Sequence, residues 1–186
     1  MGYVHRYTEV EVGGILKRSE GARAGAGAAV GHAEGLHELR PVGRDRASTS
    51  VQLLGERVLN ERQANVGAFD GCQVAAVAWA LNTRAGQNAL MVLNGRKVQF
   101  IFVEIDVFSQ QFKMKAAASE VPTIGPIQLP TVQDLIVASV CMKIIPDGGR
   151  IHIRTAFPRS ALSARGQRCE CTYVADGGMP QQGIPI

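Results

Sequence analysis

Apolar positions recur with a helical period in the first half of the chain and with a two-residue period in the second. Thr8-Glu9-Val10-Glu11 reads as a capping box, in which the Thr hydroxyl takes the amide three residues on and Glu11 reaches back. It predicts a helix to about Arg18 with Val12, Ile15 and Leu16 on one face. Ala33–Leu39 predicts a short helix that stops at Arg40-Pro41. Val51, Leu53, Leu54 and Val58 give Val51–Asn60 helical spacing. Cys72–Leu81 is the clearest helix, and it continues, or restarts after Gly86, to Leu93.

From Arg96 the period shortens. In Lys97–Phe108, Val103, Ile105 and Val107 alternate with Glu104 and Asp106, which predicts a strand. Gln111–Ala117 alternates Phe112, Met114 and Ala116 with Lys113 and Lys115, so Ser109-Gln110 is expected to turn a hairpin. Leu135–Ile145 predicts one apolar strand. Pro146-Asp147-Gly148-Gly149 predicts a turn, and Arg150–Phe157 the returning strand, ended by Pro158. Gly21–Gly31, Arg44–Ser50 and Glu120–Thr131 read as connections. Residues 159–186 are rich in Gly, Pro, Gln and Arg and read as a basic, irregular tail. Helices first and antiparallel strands after predict an α+β fold, with the helices packed on one face or end of a sheet.

Composition narrows the class. The 186 residues suit one domain with extensions, and 46% hydrophobic content is ample for a core. Aromatics supply only 5%, so that core must be aliphatic. No apolar run approaches the ~20 residues of a membrane helix. Met1–Glu11, with His5, Arg6, Glu9 and Glu11, does not read as a secretory signal. The net charge is +4, and 15 of the 20 basic residues are Arg, whose planar fork suits phosphate. Residues 150–186 carry five basic and two acidic residues, so the excess sits at the C-terminal end. Cys72 and Cys141 lie among apolar residues and read as core positions. Cys169 and Cys171 are too closely spaced for the usual zinc half-site. Neither a metal nor another cofactor is expected.

Two constellations carry candidate chemistry. Gly31-His32-Ala33-Glu34 contains the His-x-Glu of zinc nucleotide deaminases, but the Pro-Cys-x-x-Cys that completes their site is missing. The other constellation is longer. His37-Glu38-Leu39 is followed by Leu54-Gly55-Glu56-Arg57-Val58. Gly67-Ala68-Phe69-Asp70 then opens the Ala-rich helix, and Asp147–Pro158 ends in Thr155-Ala156-Phe157-Pro158. This order, over roughly Gly31–Pro158, resembles the RNase A-like toxin domains at the C-termini of bacterial polymorphic and contact-dependent inhibition toxins.

The resemblance implies an RNase A-like fold in residues 31–158, preceded by a leading helix and linker in 1–30. It implies a metal-independent endoribonuclease with His37, Arg57 and Thr155 as its catalytic set. Phe157 stands where the family often has Tyr. The interval from His37 to Arg57 is longer than the family's, which keeps Arg40, Arg44 and Arg46 open as the phosphate arginine. Phe157, Arg40 and Arg154 are the expected substrate-binding residues. The implied partners are RNA, tRNA among the candidates, and a cognate immunity protein, with neither DNA nor a membrane. The implied setting is a domain secreted within a larger toxin and acting in the cytoplasm of a target cell.

Elementary chemistry is compatible with that set. Attack of a ribose 2′-hydroxyl on the adjacent phosphate needs a base, a cation at the phosphate oxygens and a donor near the leaving oxygen. Strict strand alternation puts Thr155 and Phe157 on one face and His152 and Arg154 on the other, separating His152 from Thr155 unless the strand bulges. A non-catalytic RNA- or partner-binding module is the alternative expectation, with the deaminase third.

Overall fold

A computed structural model describes residues 2–20, 37–39, 54, 65–94, 98–118, 132–173 and 181–184. Among the described residues, three helices and eight strands build an α+β fold with two antiparallel sheets. Gly21–Gly31, Arg44–Ser50, most of Ala33–Leu39 and of Val51–Asn60, and the His-x-Glu motif lie outside the described residues. Leu54 is helical and fully buried against Ala68 and Ala117.

Helix α1 (Glu9–Ser19) starts where the capping box places it, with Thr8 Oγ1 accepting from the Glu11 amide at 3.2 Å. The Glu11 carboxylate meets His5 Nε2 at 2.8 Å. Val12, Ile15, Leu16 and Ser19 form the buried face. Its approach is fixed by Tyr7, whose amide donates to Asn82 Oδ1 at 2.8 Å while Asn82 Nδ2 donates to the Tyr7 carbonyl at 2.7 Å.

Helices α2 (Gln73–Asn82) and α3 (Arg84–Leu93) meet at Thr83, which ends one and caps the next through Oγ1 and the Gly86 amide. Gly86 is required there. A Cβ on it would lie 2.1 Å from the Ala80 carbonyl oxygen, so only glycine lets α3 start this close to the end of α2.

The small sheet runs β1-β3-β4, with β1 at Asn65–Phe69, β3 at Lys113–Ala118 and β4 at Val132–Ile136. The large sheet runs β6-β5-β2-β7-β8, with β2 at Val98–Asp106, β5 at Ser139–Asp147 and β6 at Arg150–Arg159. Its other edge is β7 at Arg168–Tyr173 and β8 at Gln181–Ile184. One face of β2 and β5 is aliphatic: Ile101, Val103, Ile105, Val140, Met142 and Ile144 are buried in the core shared with all three helices. At about 1.5–3 kcal/mol for each large aliphatic chain removed from water, this face is the main source of stability. The β5–β6 turn is the predicted one. Gly148 and Gly149 have φ of 55° and 85°, the positive pair that a two-residue hairpin matching strand twist demands.

Three expectations are corrected. First, β2 and β3 do not form a hairpin. A 3₁₀ turn at Phe108–Gln110 and a left-handed Gln111 (φ 54°) carry the chain into the other sheet, where β3 pairs with β1 and β4. Second, Leu135–Ile145 is not one strand. The chain changes sheets at Val137-Ala138, with the Val137 amide donating to the Phe112 carbonyl and the Ala138 amide to the Arg159 carbonyl. Leu135 and Ile136 are half-buried and Val137–Val140 buried, all of them apolar but Ser139, so no polarity change marks the crossing. Third, the segment read as an irregular tail contributes β7 beside the central strand β2, with Cys169 and Cys171 fully buried in the core.

Candidate functional site

His37, expected at the end of a helix, belongs instead to an extended segment laid along β1. The Phe69 amide donates to the His37 carbonyl at 2.7 Å and the Leu39 amide to the Phe69 carbonyl at 2.8 Å. These two backbone bonds fix where the imidazole emerges. Glu38 fixes it further from the buried side. Its carboxylate accepts from the Gln73 amide at 2.9 Å, at the start of α2, where Cys72 supplies no side-chain cap. A carboxylate there also meets the positive end of the helix. The Gln73 side chain donates to the Ala156 carbonyl at 3.0 Å. One buried network thus ties the residue after His37 to the residue after Thr155.

The result is a close approach across 118 residues of sequence: His37 Nε2 and Thr155 Oγ1 lie 3.2 Å apart. The His37 ring is 5.6 Å from that of Phe157, which is 6.3 Å from Phe102. Of the six residues singled out from sequence, the structure therefore brings together His37, Thr155 and Phe157. Arg57 and Arg40, like Arg44 and Arg46, lie outside the described residues.

Strand β6 contradicts the expected separation of faces. Thr155 stands opposite Lys143, but Ile153 stands opposite Ile144, so Arg154 is an extra residue in β6 and the strand is bulged there. The bulge reverses the alternation. Ile151, Ile153 and Ala156 face the core, while His152, opposite Ile145, shares the other face with Thr155 and Phe157, opposite Lys143 and Cys141. The Ile153 amide beside the bulge donates to Ser19 Oγ of α1 at 3.2 Å.

The face opposite the core consequently reads in cross-strand rows. Thr155, Lys143, Phe102 and Glu170 form one, and Phe157, Cys141, Glu104 and Arg168 the next. Burial, with the Arg154 charge beside it, pushes the Lys143 ammonium below the usual lysine value, and its Nζ lies 3.5 Å from the centre of the Phe100 ring. Burial likewise lowers the His152 imidazole below its ordinary 6.5; Asp147 opposes that shift and Arg154 adds to it. Arg154 thus lies within electrostatic reach of both Lys143 and His152, next to Thr155. Crowded cations of this kind are relieved by an anion.

Glu104 is fully buried and carries the neighbouring region. It accepts from Ser139 Oγ at 2.7 Å and from the Arg165 amide at 2.8 Å, with Arg159 and Arg168 each at 3.4 Å. Those guanidiniums stand over Phe157 and Phe102, each 5.7 Å from the ring centre. A buried carboxylate is tolerable only with such compensation. Burial pushes the Cys141 and Cys169 thiols up to about 12 and Cys72 to about 11, so none supplies a thiolate at neutral pH.

Comparison of the chain with protein-family models, curated proteins and solved structures returned no match. The site is therefore read from its own geometry. Among the described residues, no three His, Cys, Asp or Glu side chains gather as metal ligands. Cys169 and Cys171 lie on a strand with their side chains in the core, not on the helix a deaminase site requires.

Sequence reasoning missed Lys143, Glu104 and the placement of His152. The first two left a signal. Lys143 is the one charged residue in Leu135–Ile145, and Glu104 interrupts the apolar run of β2. A charge inside a buried strand demands a partner or a ligand. The bulge that moves His152 left none.

Proposed function

We propose that this chain is a metal-independent endoribonuclease with an RNase A-like arrangement, whose site is built on His37 and Thr155. The observation that carries the reading is the 3.2 Å approach of His37 Nε2 to Thr155 Oγ1 beside Lys143 and Arg154. An imidazole, a hydroxyl and a lysine on one sheet face, with Arg154 in electrostatic reach of that lysine, are the groups that transesterification of RNA requires.

In the proposed reaction His37 Nε2 takes the proton of a ribose 2′-hydroxyl. The freed oxygen bonds to the adjacent phosphorus, and the bond from phosphorus to the 5′-oxygen breaks. The products are a 2′,3′-cyclic phosphate and a 5′-hydroxyl. Lys143 and Arg154, with the Thr155 hydroxyl, stabilise the charge that builds on the phosphoryl oxygens. His152 is the second imidazole on that face and returns a proton to the leaving oxygen. Its depressed basicity makes its protonated form the stronger acid. Arg57 remains part of the proposal as a further phosphate contact. The resemblance extends the reading to a domain secreted within a larger toxin, acting in the target-cell cytoplasm and neutralised by an immunity protein.

Incubating the purified chain with total RNA in excess EDTA tests this directly. The expected result is fragments ending in cyclic phosphate, with H37A at least ~10³-fold slower, the scale of losing a base and its orienting contact. RNA left intact by the wild-type chain would refute catalysis. Intact RNA that is nonetheless bound, equally by wild type and H37A, would establish the alternative of a binding module.

A further inference from the structure

We infer that Phe102, together with Phe157 and the two arginines above them, forms a stacking subsite for the unpaired bases of single-stranded RNA flanking the cleaved phosphate. This rests on the reading of the His37–Thr155 site as RNA-cleaving, and it adds what that reading leaves open: which form of RNA is taken, and by which surface.

Aromatics are scarce in this chain, at 5% of residues, and in the largely aliphatic core only Phe69 and Tyr7 are buried aromatics among the described residues. Three of the six phenylalanines nevertheless stand on the site face of the large sheet: Phe100, Phe102 and Phe157. All three are partly exposed, whereas Ile101 and Val103, the residues after Phe100 and Phe102 on β2, are fully buried. The Phe100 ring is covered by the Lys143 ammonium. Phe157 and Phe102 continue outward from His37 in a line that crosses from β6 to β2, with ring-to-ring steps of 5.6 and 6.3 Å. Successive rings are tilted to one another by 44° and 40°, so they offer no run of parallel faces to a continuous base stack. Bases meeting these rings are therefore splayed, one to a ring, which only an unpaired strand permits.

The arginines argue for the same occupant. Arg159 and Arg168 are not free surface charges. The buried Glu104 carboxylate holds both, and Glu170 stands 3.7 Å from Arg168, so these four side chains are close to neutral together. Their guanidiniums are spent on position, each kept beside a ring, where a planar cation adds to base stacking. The net positive charge for the backbone comes from Lys143 and Arg154, at the His37 end of the line. A surface with cations at one end and rings paired with fixed guanidiniums along its length matches a phosphate followed by bases. Stacking reads no base identity, so the subsite accepts any sequence.

The test compares kcat/KM, in EDTA, on a single-stranded RNA octanucleotide and on a dinucleoside monophosphate, for the wild type, F102A and F102W, with thermal unfolding recorded for each. The wild type is expected to prefer the octanucleotide. F102A should shrink that preference roughly tenfold, the scale of losing one stacked base, and F102W should restore it. An octanucleotide held in a duplex should be cleaved poorly. The inference is overturned if F102A lowers both rates equally or neither, or if duplex and single strand are cleaved alike; the RNA-cleaving reading then stands alone. If the wild type cleaves neither substrate, the inference and that reading fall together.

Discussion

His152 shows how far one side chain's environment departs from its sequence neighbourhood. The residues beside it are Ile151 and Ile153, an ordinary strand context. In the fold the residue is 6% exposed, and burial outweighs Asp147 to lower its basicity. A histidine whose pKa falls on folding binds fewer protons in the folded chain than in the unfolded one. Acid therefore favours unfolding, and the effect begins as the pH drops below the ordinary value of 6.5. Its contribution is fully present above that pH and is lost as the pH falls towards the depressed value. Thermal unfolding between pH 7.5 and 5 should show the midpoint falling more steeply for the wild type than for H152Q. Equal slopes would place the acid sensitivity elsewhere. His37 and Thr155 were visible as candidates in the sequence, and His152 only as a histidine expected on the opposite face. What was not visible was that a 3.2 Å contact joins two of them and a shared face the third, because contacts between distant segments are set by how β1, α2 and β6 pack.

Among the elements, β6 decides the site. Without its extra residue at Arg154, strict alternation would send either Thr155 and Phe157 or Ile151 and Ile153 to the wrong face. Both ends of the strand are held, one by the β5–β6 turn and the other by Gln73 on the Ala156 carbonyl, with Ser19 taking the Ile153 amide between them. Arg154 has two separable roles, as a charge beside Lys143 and as a spacer. R154A removes the charge and keeps the spacer, and should slow RNA cleavage about 100-fold, the lower end of the range for one transition-state contact. Deleting Arg154 removes the spacer too, and should abolish cleavage or unfold the strand. A deletion variant as active as R154A would show that the bulge is dispensable. Helix α1, by contrast, was legible to within a residue, because its cap and its apolar face are both local to the sequence.

For the molecule as a whole, the core does not respect the limits suggested by the motifs. The motif-bearing stretch ends at Pro158, but β7 pairs along β2, and Cys169 and Cys171 complete the core face. At the other end, α1 packs Val12, Ile15 and Leu16 into that same core. A chain ending at Pro158 would expose the backbone edge and part of the aliphatic face of the central strand, a loss comparable with the about 5–15 kcal/mol that stabilises a typical domain. It should show no cooperative thermal transition, and a chain starting at residue 31 should be similarly disabled. A sharp transition in either would mean that the core closes without that terminus. The arginine arrangement depends on the same closure, since Arg168 reaches Glu104 only through β7.

The order of periods, helical then alternating, was enough to determine an α+β protein with a largely aliphatic core, and the Gly-Gly pair was enough to determine the β5–β6 hairpin. Both are local properties, repeated along the chain and insensitive to what packs where. The motif residues singled out His37, Thr155 and Phe157. Tertiary structure alone decided which sheet each strand joins, that the last segment is core, and that a bulge turns His152 towards Thr155. It also decided that Glu104 and Lys143, two charges hidden in apolar runs, face the site. Those outcomes turn on pairings between segments far apart in sequence, and an apolar position carries no record of the partner against which it is buried.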